Sequence, residues 1–341
     1  HSDLRRQRQM CIRDSPLYDL DNEVDCRASR QVTLYGDYTM WWIFNDKGNV
    51  HTETQGDPIG MEIRAQAFAF ATNNEVNNMT FFNYEMVNRS TQRLKETFFA
   101  VWADPDIGCS DNDYVGCDVA RGVGYAYNAT NVDNQNNDPC TFPIGQNPPA
   151  IGIDFFEGPY QDNDGIDNPL TTDVPTAMAQ LGIPYEGLGI GYGDLVVDNE
   201  RLGMKRFTYF DRTLPQNIYG DPSVYNEYYN YMLGLWRDNT QFVYGGTGHS
   251  SSAGATAIPT NYVFPGTSDP YNWATSNVDP GFTDGWSEQN ANGGSPNPIG
   301  DRRWVQAAGP FTLEPGALNN ITVGVVYGKT NSGDAFNSVE L

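Results

Sequence analysis

One pattern constrains this chain more than any other, namely hydrophobic and polar side chains that alternate over short runs. Residues 61–71 (MEIRAQAFAFA) alternate with a period of two, so Met61 and Ile63 fall on one face and Glu62 and Arg64 on the other. Successive side chains of a β-strand point to opposite faces of the sheet. Further strand-like runs cover 79–88, 94–103 and 321–327. Together they predict an all-β fold, an antiparallel β-sandwich.

The spacing of the runs predicts how the strands connect. Only short polar breaks separate 61–71, 79–88 and 94–103, which indicates an antiparallel meander with these three strands adjacent. The 321–327 run is expected in the same core. Upstream, the run at 38–44 stops at the turn signal Asn-Asp-Lys-Gly and resumes near Val50, which favours another strand pair there.

Two helix signals interrupt the β-rich chain. Asp221-Pro222 resembles an N-cap followed by a first-turn proline, and helical spacing continues to Trp236. A weaker signal covers 172–181 and stops at Gly182. We find no internal repeat and therefore expect one composite β-sandwich domain over 35–341, with long Asx/Gly-rich loops and one or two short inserted helices.

Charge and composition exclude several classes of function. Asp and Glu total 43 against 20 Lys and Arg, a formal charge of −23 with neutral histidines. DNA or RNA would be repelled by this charge. No run approaches the roughly 18 apolar residues of a membrane-spanning helix. The three histidines (His1, His51 and His249) are too scattered for a histidine-based zinc site. We expect no nucleic-acid partner and no membrane span.

The first fifteen residues differ from the rest of the chain. Residues 1–15 carry four arginines against two aspartates, whereas the remainder is acidic. A basic arm or targeting segment is one interpretation, but the apolar core of a secretory signal is missing. The string RQRQMCIRDS resembles a translated sequencing adapter of metagenomic data, and we interpret 1–15 as non-native. Residues 16–34 are then an irregular leader.

The cysteines become an even set once Cys11 is set aside. Cys109 and Cys117 lie eight residues apart in a Gly/Asp loop, and we predict a disulfide between them, with Cys26 and Cys140 completing the set. Four free buried thiols are the alternative. Paired cysteines favour an exported, oxidising compartment.

The sequence contains two acidic loops that suit a hard cation. Five carboxylates fall within residues 104–118, next to glycines, and Ca²⁺ prefers six to eight oxygen ligands. The second loop begins at Asp162 and resembles half of a DxDxDGxxD calcium loop. A similar half-loop around 194–200 could share an ion with it. We predict Ca²⁺ at Asp104, Asp106, Asp111 and Asp113, or at Asp162, Asp164 and Asp167. Solvated acidic turns are the alternative for both.

Catalytic patterns are weak. Gly248-His249-Ser250-Ser251-Ser252 places serines beside a histidine but lacks the GxSxG elbow of hydrolases. A glycosidase pair cannot be singled out among so many carboxylates. The tryptophans Trp41, Trp42, Trp102, Trp236 and Trp304 lie in periodic segments and are expected in the core. No catalytic residue is predicted.

Five long segments, in order from about Tyr35 to the end, resemble one family. They are GDYTMWWIFNDKGNVHTET, IGMEIRAQAFAFATNNEVNNMTFFNYEMVNRS, WADPDIGCSDNDYVGCDVARGVGYAYN, NPPAIGIDFFEGP and DRRWVQAAGPFTLEPGALNNITVGVVYG. The resemblance is to large secreted or cell-surface proteins of Bacteroidetes-type bacteria exported by the type IX secretion system. It implies an extracellular or outer-membrane-surface location, and it assigns no catalytic residue. In that family a C-terminal sorting domain follows, so we expect the chain to be a fragment truncated at its C-terminus.

Two functions are consistent with these observations. The leading prediction is a non-catalytic structural, adhesive or glycan-interacting module with calcium-stabilised loops, whose partners are glycans or other surface proteins. The alternative is an accessory β-domain of a secreted hydrolase acting on polysaccharide or protein, with the catalytic module missing from this chain.

Overall fold

A computed structural model describes residues 34–133, 140, 142–181, 189–212 and 217–341. Residues 1–15, with Cys11, and nearly all of the predicted leader at 16–34, with Cys26, lie outside the described residues. The strands are β1 (Tyr38–Asn45), β2 (Met61–Ala69), β3 (Met79–Asn88), β4 (Leu94–Ala103), β5 (Asp113–Asp118), β6 (Val123–Asn128), β7 (Val132–Asp133), β8 (Gly145–Gln146), β9 (Ala150–Glu157), β10 (Arg206–Asp211), β11 (Val243–Gly245), β12 (Ala255–Pro259), β13 (Arg302–Leu313) and β14 (Leu318–Gly328).

The predicted all-β sandwich is confirmed. Seven strands form one sheet in the order β1-β2-β3-β14-β9-β6-β5, and three form a second in the order β10-β13-β4. All pairings in both sheets are antiparallel. Two small ribbons, β7-β8 and β11-β12, lie outside the sheets.

The core lies between the two sheets. Trp304 of the small sheet is fully buried, and its indole N–H donates to Gln306, whose amide donates in turn to the Ile153 carbonyl of the large sheet at 3.0 Å. A Cβ on Gly124 of β6 would lie 2.3 Å from the Gln306 side-chain oxygen. The close approach of the sheets therefore requires glycine at position 124.

The predicted meander is wrong at its third strand. β3 pairs with β2 as expected, but β4 crosses to the small sheet and pairs with β13. The corner after β3 lies beside the corner between β13 and β14, and buried Asn88 joins them, because its side-chain amide donates to the carbonyls of Gln92 and Leu313. A polar break of a few residues can thus be an arch between sheets as well as a hairpin.

The strand pair expected around Val50 is also absent, because among the described residues β1 is followed directly by β2. The Asp46 carboxylate accepts hydrogen bonds from the backbone amides of Ile59, Gly60 and Met61, which closes the connection into a loop. β1 therefore pairs with β2 and forms an edge of the large sheet.

The described residues contain two α-helices, α1 (Val174–Leu181) and α2 (Tyr225–Leu233). α2 begins three residues later than the predicted start, since Asp221 contacts Arg303 and does not cap the helix. It ends at left-handed Gly234 (φ 84°) rather than at Trp236. None of the helices in the described residues is long and apolar enough to cross a membrane.

Candidate metal centre

The register of β4 against β13 builds an acidic cluster at one end of the small sheet. Ala103, the last residue of β4, pairs with Trp304 near the start of β13. Asp104 follows β4 and Asp301 precedes β13, so the two carboxylates meet although they are distant in sequence. Asp106 joins them from the loop after β4.

Carboxylate oxygens of Asp104, Asp106 and Asp301 all lie within 4.8 Å of one another. We call these three residues the acidic cluster. Asp104 and Asp106 are exposed and Asp301 is half-buried. The structure thus brings together two predicted ligands and adds Asp301, which sequence reasoning missed because no local spacing connects it to the loop.

Arg303 neutralises the cluster only in part. Its guanidinium donates to Asp104 at 2.8 Å and to Asp221 at 3.2 Å, and lies 3.7 Å from an Asp301 oxygen without a hydrogen bond. That Asp301 oxygen is buried and has no hydrogen-bond partner. Burial raises the pKa of Asp301, the charges of Asp104 and Asp106 raise it further, and Arg303 opposes the increase.

Asp113 lies behind the cluster as a buried carboxyl group. It is 0% exposed, and one carboxylate oxygen accepts the Ile107 amide at 3.2 Å while the other has no partner. Burial raises its pKa well above the usual range, and the charges of Asp106 and Asp301 contribute. Asp111, a further predicted ligand, is half-buried and is not one of the three clustered residues.

The predicted Cys109–Cys117 disulfide is wrong. Cys109 pairs with Cys140, with Cα atoms 5.2 Å apart, and Cys117 is a free, buried thiol. The reason is that β5 begins at Asp113, so four residues of extended chain, about 13 Å, carry Cys117 away into the core. The pairing of Cys26 with Cys140 is excluded by the same finding.

Asp133 organises the loop next to the disulfide. One of its oxygens accepts the Cys109 amide at 3.2 Å and the Asn112 side chain at 3.1 Å. A Cβ on Gly108, which has a positive φ of 78°, would lie 1.9 Å from the other oxygen. Glycine at 108 therefore permits Asp133 to anchor the loop that presents Asp106.

The second acidic loop lies elsewhere and uses its carboxylates differently. Asp162 accepts the Thr312 amide at 2.6 Å, and the two oxygens of Asp167 accept the amides of Gly193 and Leu195, both at 2.8 Å. Asp164 accepts the Ile166 amide at 2.9 Å. The structure thus joins the two half-loops, and as metal ligands these three aspartates stay a prediction.

The serines beside His249 form a local hydrogen-bond chain. Asp238 contacts Nε2 of His249 at 3.1 Å, and Nδ1 lies 2.7 Å from the Ser251 hydroxyl. The backbone amide of Ser251 also donates to Nδ1, at 3.1 Å. Because Nδ1 accepts from both groups of one residue, the arrangement is that of a side chain closing a turn.

Trp102 departs from its expected place in the core. Its side chain is 53% exposed, stacks on Phe210 with centroids 6.2 Å apart, and lies 5.6 Å from the Arg303 guanidinium. Trp236 and Trp304 are fully buried, as predicted, and Trp41 and Trp42 are half-buried. An exposed indole therefore stands beside the arginine that contacts the acidic cluster.

Comparison with known proteins assigns no family to this chain: no protein-family model matches it, and no curated protein matches it either.

Proposed function

We propose that this protein is a calcium-stabilised extracellular binding module, and that the acidic cluster of Asp104, Asp106 and Asp301 holds the ion. The observation that carries the proposal is the convergence of three carboxylates from two separate chain segments within 4.8 Å. Like charges at this distance repel one another unless a cation lies between them. The cluster can hold a metal ion through oxygen ligands alone.

The donor set favours a hard divalent cation. Carboxylate oxygens suit Ca²⁺, Mg²⁺ or Mn²⁺, whereas Zn²⁺ prefers nitrogen and sulfur. Ca²⁺ accepts six to eight oxygens in flexible geometry, which suits exposed carboxylates on loops supplemented by water and backbone carbonyls. The unpartnered oxygens of Asp301 and Asp113 support a cation at this end of the sheet.

We place the module outside the cell. The Cys109–Cys140 disulfide supports this location, because disulfides persist in oxidising compartments. Millimolar calcium outside cells would also occupy a site of modest affinity. The resemblance to type IX-exported surface proteins points in the same direction, and in that setting the module would carry binding surface on a larger protein.

Trp102 supports glycans as partners. Indole faces stack on the apolar faces of sugar rings, and carboxylates and guanidinium groups beside them bind hydroxyls. The exposed ring of Trp102 next to Arg303 offers both kinds of group. Binding to a panel of polysaccharides, compared between the wild type and Trp102→Ala, tests this part of the proposal.

Direct calcium titration tests the metal site. By isothermal titration we expect Asp106→Asn and Asp301→Asn each to weaken calcium binding at the cluster at least tenfold. Asp279→Asn is the matched control, because Asp279 is an exposed carboxylate that caps the Gly281 amide elsewhere. Equal calcium binding by all four proteins would contradict the assignment.

The alternative of a hydrolase deserves a separate assay because of the Asp238–His249–Ser251 chain. We expect no turnover of casein, polysaccharides or activated esters by the purified protein. Turnover that is lost in Ser251→Ala, or in a single Asp→Asn or Glu→Gln variant, would overturn the proposal of a non-catalytic module.

A further inference from the structure

A second group of side-chain oxygens, separate from the acidic cluster, includes a buried carboxylate without a counter-ion, as a cation-binding site would. Glu200 is 0% exposed, and one of its carboxylate oxygens accepts the backbone amide of Asn168. The other oxygen is buried and has no hydrogen-bond partner. A buried carboxylate with one unpartnered oxygen is strongly destabilising unless a positive group compensates it.

No cationic side chain in the described part of the chain pairs with Glu200. Its neighbour Arg201 faces elsewhere, since its guanidinium donates to the Gly158 carbonyl at 2.9 Å and to the carbonyl and side chain of Asn320. Arg201 also stacks over the Tyr160 ring at 3.9 Å. The arginine next in sequence therefore leaves the Glu200 charge unbalanced.

Two more side-chain oxygens, on Asn168 and on Asn199, lack partners. Asn168 is 2% exposed, and its side-chain nitrogen lies 3.4 Å from an Asp164 oxygen. The side-chain oxygen of Asn168 has no hydrogen bond. The side-chain oxygen of Asn199 is also buried and unpartnered. Among the described residues here, the side-chain nitrogen of Gln161 is the one buried donor without a partner, so unpartnered acceptors outnumber unpartnered donors.

The backbone holds these residues together. The backbone amide of Gln161 donates to the backbone carbonyl of Glu200 at 3.1 Å. The Asp198 carboxylate accepts the backbone amides of Asp164 and Gly165 at 2.8 and 2.9 Å. Segment 161–168 is thus joined to segment 190–200 independently of any ion. The unpartnered oxygens therefore lie at fixed positions where segments 161–168 and 190–200 meet.

We propose that Glu200, Asn168 and Asp164 bind a hard divalent cation of the calcium class, with Asn199 beside it. Two carboxylates supply the charge, and amide oxygens complete the kind of mixed oxygen set that Ca²⁺ accepts. The ion connects the two segments and balances Glu200. This site is separate from the acidic cluster, so either can exist without the other.

The ligands differ from those that the sequence pattern indicates. Both oxygens of Asp167 accept backbone amides, and Asp162 binds the Thr312 amide of β13, so these two side chains shape the loop. Asp164 accepts a backbone amide, that of Ile166, with one oxygen only, and its other oxygen faces Asn168. Glu200 is the central ligand instead. The half-loop around 194–200 indicates this segment in the sequence, but the choice of Glu200 follows from its burial and its unpartnered oxygen.

Calcium stoichiometry of the full chain tests the proposal. By equilibrium dialysis against Ca²⁺ with metal analysis, we expect Glu200→Gln to lose one bound equivalent relative to the wild type. Glu157→Gln, which alters an exposed carboxylate on nearby β9, should lose none. Asn168→Asp should retain the equivalent and Asn168→Ala should weaken it about tenfold or more. An unchanged stoichiometry in both Glu200→Gln and Asn168→Ala would mean that water fills the site, and would overturn the proposal.

Limited proteolysis provides a second readout on the wild type, which does not depend on the variants folding. Residues 195–197 are exposed and lie between the proposed ligands. Calcium should slow cleavage there at least tenfold, in Asp301→Asn as in the wild type. Cleavage at 195–197 that does not respond to calcium in the wild type would contradict this site while leaving the acidic cluster untouched.

Discussion

Two adjacent arginines on β13, Arg302 and Arg303, point to opposite faces of the small sheet and contact different kinds of carboxylate. Arg302 is 2% exposed and donates to Glu288 at 2.9 Å and to Asp211 at 2.5 Å. Glu288 is 0% exposed, and its remaining capacity is used by the Val115 amide and the Asn297 side chain, at 2.9 and 3.0 Å. Every oxygen of Glu288 therefore has a partner inside the protein.

The surroundings of Arg303 are incomplete. Asp104, Asp106, Asp221 and Asp301 gather around Arg303, and Arg212 also lowers the pKa of Asp301. Buried oxygens of both Asp221 and Asp301 have no hydrogen bond. Negative charge exceeds positive charge on this side of the strand.

The Arg302 group is a structural ion network, whereas the Arg303 group has the features of a cation-binding site. Both groups combine carboxylates with arginine, so composition does not distinguish them. What distinguishes them is whether each charged atom has a partner, because a satisfied network rigidifies the core whereas bare carboxylates attract an external cation. Changing one arginine at a time compares the two groups directly.

The largest effect is expected at Arg302. Arg302→Met leaves Glu288 buried without its counter-ion and should lower the free energy of unfolding by about 3–5 kcal/mol. Arg303→Met is the matched control and should cost clearly less, about 1–2 kcal/mol, because Arg303 is also buried but its partners are partly exposed. Urea unfolding measures both, and equal losses would remove the distinction between the two networks.

Removing the buried charge behind the cluster should stabilise the calcium-free protein. Asp113→Asn keeps an oxygen for the Ile107 amide and eliminates an unpartnered buried carboxylate. We expect the free energy of unfolding at pH 7 to rise by about 1–2 kcal/mol in chelator. If Asp113→Asn is less stable than the wild type in chelator, its charge is compensated by a group other than a bound cation.

Stability should depend on pH in a direction that follows from the raised pKa values. Burial raises the pKa of Asp113 and Asp301, and raises that of Asp154 to about 6. The folded protein then holds protons that the unfolded chain releases, so stability without calcium falls as pH rises from about 4 through 6. Thermal unfolding in chelator between pH 4 and pH 7 measures this, and Asp154→Asn should flatten the upper part of the profile.

The smallest effect concerns the affinity of the cluster. Arg303→Gln removes a positive charge from beside Asp104 and Asp301, and should strengthen calcium binding about three- to tenfold by Coulomb attraction. Arg121→Gln is the control, because Arg121 pairs with Asp118 at the surface. Calcium titration at low ionic strength measures the change, and weaker binding in Arg303→Gln would show that the arginine orients the ligands.

The sequence predicted the strands well and their partners less well. Alternation places 61–69 and 79–88 in strands because it reflects a local backbone geometry. The crossing of β4 to the other sheet depends on Asn88 and on a corner more than 200 residues away in the chain, which short-range patterns do not record. For the same reason the Asx-rich loop indicated Asp104 and Asp106, whereas Asp301 emerges only from the fold. The half-loop around 194–200 indicated the segment that holds Glu200, but the burial of Glu200 emerges only from the fold.

Calorimetry of the wild type and Asp301→Asn, in millimolar calcium and in chelator, tests the central claim most directly. Calcium at about 100 times its dissociation constant should stabilise the folded state by about 2.7 kcal/mol, a rise of roughly 5 °C in the unfolding midpoint. The rise should shrink in Asp301→Asn and persist in Asp279→Asn. Identical midpoints of the wild type in calcium and in chelator, or an equal rise in Asp301→Asn, would contradict the account.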